Sequence, residues 1–257
     1  MNNTHEAIVE AAKRLKLPIF AQYEKYVQSP QPFADNLLNL LQEQVQIADH
    51  NRLNRRTRYA GFPQQKTLDT FQCDPEFLPH LNFNEFRELS SCQFIDDKYD
   101  VVALGPSGRG KTHVALAIGY EAVKRGYKVR FKRASDLVNE MSEARTEKQL
   151  TDYIKTLNRC QLLILDEVGY LNYDVNASSL LFQVVGARYE YASTFYTTNL
   201  EFSKWPQFIG NENLAAAIVD RIAHHSIILN MNGPKGWRLE HAHSKQSGMP
   251  KEESSRR

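Results

Sequence analysis

The eight residues Gly105-Pro106-Ser107-Gly108-Arg109-Gly110-Lys111-Thr112 constrain this chain more than any other feature. They fit G-x-x-x-x-G-K-[ST] at every fixed position, a pattern that belongs between a strand and a helix. The flanks supply both. Asp100 to Leu104 is an apolar run of strand length, and Thr112 to Arg125 has the apolar content of a packed helix. Glycines let the backbone curl so that several N–H groups point inward, and the following helix presents its positive end, so the loop is suited to a phosphate chain. Lys111 is placed to bridge β- and γ-phosphates and Thr112 to ligate Mg²⁺, which makes ATP with Mg²⁺ the expected ligands. The alternative is a glycine-rich turn that merely joins strand to helix.

Such a loop requires a sheet behind it. Further strands are expected at Lys128 to Lys132, Gln161 to Asp166, Ser193 to Thr198 and Ser226 to Met231, with a helix at Ser178 to Tyr191 among the segments between them. Strands alternating with helices indicate an α/β fold with a parallel sheet covered on both faces. Leu162-Leu163-Ile164-Leu165 is apolar at every position, as a central strand should be. Asp166 stands at the carboxyl end of that strand, where ligand sites of open α/β sheets collect. It is the expected second anchor of the metal, and Glu167, next in the chain, is the expected group to polarise an attacking water. Thr197-Thr198-Asn199 ends the fourth strand. Asn199 is a candidate to orient that water, although the tripeptide alone equally suits a turn or a helix cap.

The segment before the sheet reads differently. Ile8, Ala11, Ala12 and Leu15 recur at helical spacing up to Pro18; Leu37, Leu38, Leu41, Val45 and Ala48 do so again, in a helix that could run to Tyr59 before Gly61-Phe62-Pro63. A small N-terminal helical domain over residues 1–66 is therefore expected, with the phosphate-loop domain over 67–242 and a polar, disordered tail over 243–257. Net charge is only +2, yet the positive charge is clustered. Arg52, Arg55, Arg56 and Arg58 fall mostly at i, i+3 and i+4 spacing, so one helix face would carry most of them, suited to DNA phosphates. A solvated helix surface is the plainer reading. Lys124 and Arg125 suit a helix end, where cations favour the negative pole of the dipole.

No run approaches the roughly 20 apolar residues of a membrane span, and Met1 to Glu10 lacks a signal-peptide layout, so a cytoplasmic protein is expected. Cys73, Cys92 and Cys160 are far apart and are read as reduced, mostly packed thiols.

Together these strings resemble the AAA+ ATPases of the IstB and DnaC branch, and the IstB transposition helpers most. The resemblance spans Asn51-Arg52-Leu53-Asn54-Arg55-Arg56, Ala60-Gly61-Phe62-Pro63 with Lys66-Thr67-Leu68-Asp69-Thr70-Phe71, and Leu165-Asp166-Glu167-Val168-Gly169-Tyr170. It continues through Ala187-Arg188-Tyr189-Glu190, Thr198-Asn199-Leu200 with Phe202-Ser203-Lys204-Trp205, and Ala216-Ala217-Ile218-Val219-Asp220-Arg221-Ile222 with His224-His225. Many IstB proteins carry two aspartates where this chain has Asp166-Glu167, as DnaC proteins do, so that position does not separate the branches.

The resemblance implies a five-stranded parallel sheet in which the strand ending at Asn199 lies between those ending at Gly105 and Asp166. It implies that Leu68 and Phe71 border adenine, and that Arg221 reaches a neighbouring subunit's ATP site, with Arg188 as the competitor. Arg238 aligns loosely with a second sensor arginine. Lys132 and Arg133 would line a DNA path. The implied function is an ATP-dependent homo-oligomer that remodels double-stranded target DNA and stimulates a partner transposase of the IstA type. A replicative helicase loader of the DnaC or DnaI type is the alternative. It would need a helicase-docking surface and often a zinc site, and Met1 to Tyr59 contains no cysteine. A metabolic kinase using the same loop would leave Asn199 and Arg221 without a role.

Overall fold

A computed structural model describes residues 2–71, 75–170 and 172–233. Its packing separates two compact units, one reaching Arg56 and the other starting at Thr57.

The first unit is helical. It holds α1 (Asn2–Arg14), α2 (Glu24–Val27) and most of α3 (Phe33–Ala60). Its buried positions are Ala12, Ile19, Asn36, Leu40 and Gln44, and the Gln44 side-chain carbonyl accepts the Ile19 N–H at 3.1 Å. The α3 face that packs is thus the i, i+4 row Asn36-Leu40-Gln44. Leu37, Leu38, Leu41 and Val45, which the apolar pattern puts forward as the face of the helix, are exposed. Leu40 and two polar residues hold the packed side because Gln44 satisfies a backbone donor there that no leucine could.

The second unit takes in the last turn of α3, where Ala60 is fully buried and Arg130 donates to the Tyr59 carbonyl at 2.7 Å. After a 3-10 turn at Leu68–Thr70 come two short helices, α4 (Phe83–Leu89) and α5 (Gln93–Asp96). The sheet then alternates with helices: β1 (Asp100–Leu104), α6 (Lys111–Lys124), β2 (Val129–Arg133), α7 (Ala134–Thr146), α8 (Leu150–Asn158), β3 (Leu162–Val168), α9 (Val175–Arg188), β4 (Ser193–Thr198), α10 (Glu212–His224) and β5 (Ser226–Asn230). Asn82, Asp174 and Asn211 start α4, α9 and α10 by accepting backbone N–H groups of the first turn, the usual work of an N-cap.

The five strands are parallel, in the order β2-β3-β4-β1-β5. β4 therefore lies between β1 and β3, as expected. The central strand β4 is buried along its length and β3 at every position but Glu167, and Leu163, Leu165 and Tyr196 join Leu180, Leu181, Val184 and Ile218 from α9 and α10 in one core. In that topology the carboxyl ends of β1, β3 and β4 meet along one sheet edge, which is where the candidate residues fall. Cys92 and Cys160 are buried free thiols, while Cys73 lies outside the described residues. Among the described residues no helix is long and apolar enough to cross a membrane.

Candidate functional site

The phosphate loop leaves β1 at Gly105 and enters α6 at Lys111. Gly110 caps the helix in the left-handed region at φ 83°, and a Cβ there would meet the Phe71 ring at 2.7 Å. Glycine therefore serves both the turn and the close approach of the linker. At the other end of the loop Gly105 faces the Met231 carbonyl, 2.7 Å from where a Cβ would stand. Lys111 donates to the carbonyls of Gly105 and Pro106 at 2.6 and 2.9 Å. Its ammonium thus lies within the curl.

Asp166 is buried at the end of β3, and one of its carboxylate oxygens accepts two hydroxyls, Thr112 at 2.9 Å and Thr197 at 2.5 Å. Three elements converge on that oxygen: the loop helix, β3 and β4. The same Thr197 hydroxyl accepts the Glu167 N–H at 2.9 Å. Glu167 has φ 62°, and the β3–β4 register shifts between Leu165 and Val168. A non-glycine residue there is strained by roughly 1–2 kcal/mol, and the effect is to break the strand alternation so that Glu167 emerges exposed beside a buried Asp166.

These groups share one cavity of about 1030 Å³. Ser107 through Thr112 line it, together with the polar residues Asp166, Glu167, Thr197 and Asn199 and the apolar residues Phe71, Pro75, Phe77 and Leu78. Phe71 lines the cavity, whereas Leu68, in the adjoining 3-10 turn, is not among its lining residues. Thr112 with Asp166 supplies hard oxygen donors suited to Mg²⁺. The loop glycines Gly105 and Gly110 pack against Met231 and Phe71 with no room for a side chain, and Thr112 and Asp166 line the same cavity as the loop, so the residues present fit a Mg²⁺-nucleotide.

Several participants had no signal in the sequence. Thr197 joins Asp166 to Glu167, yet a threonine inside a strand is ordinary as text. His113 lies within 3.1 Å of both the Thr67 carbonyl and Thr70 Oγ1 and packs on Phe71, which fixes the 3-10 turn against α6. Burial, the largest influence, lowers its pKa below the usual histidine value.

The two competing arginines differ sharply. Arg188 is 1% exposed and its guanidinium is held by Thr194 Oγ1 at 3.0 Å and by the carbonyls of Ser193, Leu157 and Cys160 at 2.6, 3.1 and 3.3 Å. It is a core tie. Arg221, on α10, lies 4.4 Å over the Phe182 ring, and one of its terminal nitrogens is buried with no hydrogen-bond partner among the described residues. Arg238 lies outside the described residues. Lys132 is paired with Glu140, which also accepts the Tyr153 hydroxyl at 2.5 Å. Arg133, opposite Asp166 in the β2–β3 register, lines the cavity. On α3, Arg52, Arg55 and Arg58 are exposed and Arg56 half-buried, with Arg52 2.9 Å from Asp49.

Comparison with known proteins then decides the family. The IstB-like ATP binding protein family matches residues 11–245. The chain belongs to that family. Among relatives of the IstB-like proteins, one named for the ATP-binding protein of insertion sequence IS5376 in Geobacillus stearothermophilus is 37% identical, over 91% of this chain and 94% of its own. Another, named for the ATP-binding protein of IS232 in Bacillus thuringiensis subsp. berliner, is 31% identical over 96% of this chain and 100% of its own. Solved structures share the fold: DnaI at TM-score 0.54 and 16% identity, covering 64% of this chain and 90% of that one, and the DnaC helicase loader at 0.52 and 23%, covering 67% and 98%.

Proposed function

We propose that this ATPase assembles on double-stranded DNA, remodels it as a transposition target and stimulates a partner transposase of the IstA type. The observation that supports the nucleotide-dependent part of the reading is the convergence of Thr112, Asp166, Thr197 and Glu167 at the phosphate loop. Relatives named for insertion sequences, matched over nearly their whole length, support the transposition context.

In this reading the backbone of Gly105 through Thr112 holds the phosphates, and the Lys111 side chain spans the β and γ groups. Thr112 and Asp166 would hold Mg²⁺, which supplies charge neutralisation at the phosphates when bound. Glu167, exposed by its left-handed backbone, takes the proton of the attacking water, and Asn199 orients that water from the end of β4. Arg221 is supplied to the ATP site of a neighbouring copy, which makes hydrolysis a property of the homo-oligomer. Arg188 is committed to the core and is not available for that role. Arg52, Arg55, Arg56 and Arg58 supply sequence-tolerant phosphate contacts. Lys132, already paired, contributes little to DNA, and Arg133 acts in the cavity.

Light scattering coupled to size exclusion tests the assembly, with ATP or ADP and with or without about 50 bp of random-sequence duplex at several salt concentrations. A large complex that needs both ATP and duplex, and is lost in Arg221→Ala, is expected. A particle indifferent to duplex would overturn the DNA reading and favour a helicase loader.

A further inference from the structure

Arg109 occupies a variable position of the phosphate loop, where an arginine invites reading as a phosphate contact. Its guanidinium is instead taken up by backbone carbonyls. The residue is 7% exposed; Nη1 donates to the Phe77 carbonyl at 3.0 Å and Nη2 donates to the Gly233 carbonyl. Those acceptors belong to segments far apart in the chain. One precedes the sheet and lines the cavity through Phe77 and Leu78, and the other follows β5. Gly233 approaches so closely that a Cβ there would overlap the Phe77 carbonyl oxygen and stand 3.1 Å from Arg109 Nη1. Guanidinium, Phe77 and Gly233 therefore form a three-way contact that tolerates no added atom.

The chemistry of the cavity says which part of a nucleotide this contact serves. Asp166, bonded to Thr112 of the loop, and Glu167 beside it suit phosphates and metal, whereas Phe71, Pro75, Phe77 and Leu78 offer apolar surface suited to a base. Arg109 is anchored to the segment that carries the apolar lining residues Phe77 and Leu78. Burial lowers its pKa, as expected for a desolvated cation, yet an arginine keeps its charge, so its donors need acceptors and the carbonyls supply them.

Resting on the nucleotide reading above, we infer that Arg109 is a positioning residue for the base. It joins the segments before and after the sheet into one wall over the phosphate loop. Its contribution falls on binding of the nucleoside portion rather than of the phosphate chain.

The test uses the full chain and three variants, Arg109→Ala, Arg109→Lys and Gly233→Ala. Binding of ATP, ADP and inorganic tripolyphosphate is measured by competition against a fluorescent ATP analogue, alongside steady-state kcat and KM. Loss of hydrogen bonds made by a charged group should weaken ATP and ADP by about tenfold, raise KM more than it lowers kcat, and leave tripolyphosphate affinity within about twofold. Gly233→Ala, which alters no atom of the loop, should reproduce that pattern and carries the test if Arg109→Ala does not fold. Tripolyphosphate weakening in parallel with ATP would make Arg109 a phosphate ligand and overturn the inference. So would wild-type affinity for ATP in Gly233→Ala. Failure of the unmodified protein to bind ATP is a separate result that removes the nucleotide reading itself.

Discussion

The Thr197 hydroxyl donates to Asp166 at 2.5 Å while accepting the Glu167 N–H at 2.9 Å. One side chain on β4 therefore fixes both the carboxylate assigned to the metal and the backbone turn that presents the carboxylate assigned to water. The strand order makes this possible, since β4 is the neighbour of β3.

Thr197→Val keeps the shape and removes that hydroxyl. Hydrolysis should fall by about tenfold to a hundredfold, with ATP affinity changing less. The buried carboxylate and the Glu167 N–H each lose a partner, so stability should drop by about 1–3 kcal/mol. Thr197→Ser should restore most of both. Single-turnover hydrolysis and thermal unfolding check the pair, and a Val variant hydrolysing at the wild-type rate would remove Thr197 from the site.

The sequence declares the loop, the strand positions and Asp166 because each obeys a local rule: fixed glycine spacing, continuous apolar runs, and a carboxylate at a strand end. Contacts that depend on two distant segments leave no such trace. Thr197 and His113 matter through partners about 30 and 45 residues away, which periodicity does not report. Arg188 shows the converse. Its surroundings in the sequence are those of an ordinary helix end, but its guanidinium is occupied by acceptors on Leu157 and Cys160 before β3 and on Ser193 and Thr194 of β4. On α3 the apolar pattern misleads because Gln44, not a leucine, satisfies the Ile19 backbone.

Two sets of basic residues should separate in a DNA-binding assay. Replacing Arg52, Arg55 and Arg56 together with alanine should weaken duplex binding and reduce the salt slope by up to about 0.9 for each phosphate that is no longer neutralised. Lys132→Ala should leave both nearly unchanged, because Glu140 already occupies the ammonium. Equal weakening in the two variants would return Lys132 to the DNA path. Fluorescence anisotropy across a salt series makes the comparison.

Asp100 gives the second unit a pH dependence. Burial, partly offset by the Thr194 N–H and the Arg188 charge, raises its pKa from 3.8 to about 7. The folded state then holds this proton more tightly than the unfolded chain does. Its stabilising contribution is complete below pH 3.8, declines as pH rises, and is gone above about 7. Asp100→Asn, which can still accept the Thr194 N–H, should flatten that decline and gain stability relative to wild type at pH 8. Thermal midpoints measured across the window check the sign; a steeper decline in the Asn variant would show that another group governs it.

A trans role for Arg221 makes a prediction that no cis role shares. Arg221→Ala should bind ATP normally and hydrolyse it slowly, with a loss of about a thousandfold if the arginine acts on transition-state charge as such fingers do. Lys111→Ala should fail at the phosphates of its own site while still presenting Arg221. Each variant alone is then inactive for a different reason. Mixed, they form interfaces in which an intact phosphate loop from one copy faces an intact Arg221 from the other, and activity should return toward the fraction of such interfaces. If Arg221 merely braces α10 against Phe182, the mixture should be no more active than the sum of its parts, because neither chain would contain a working site.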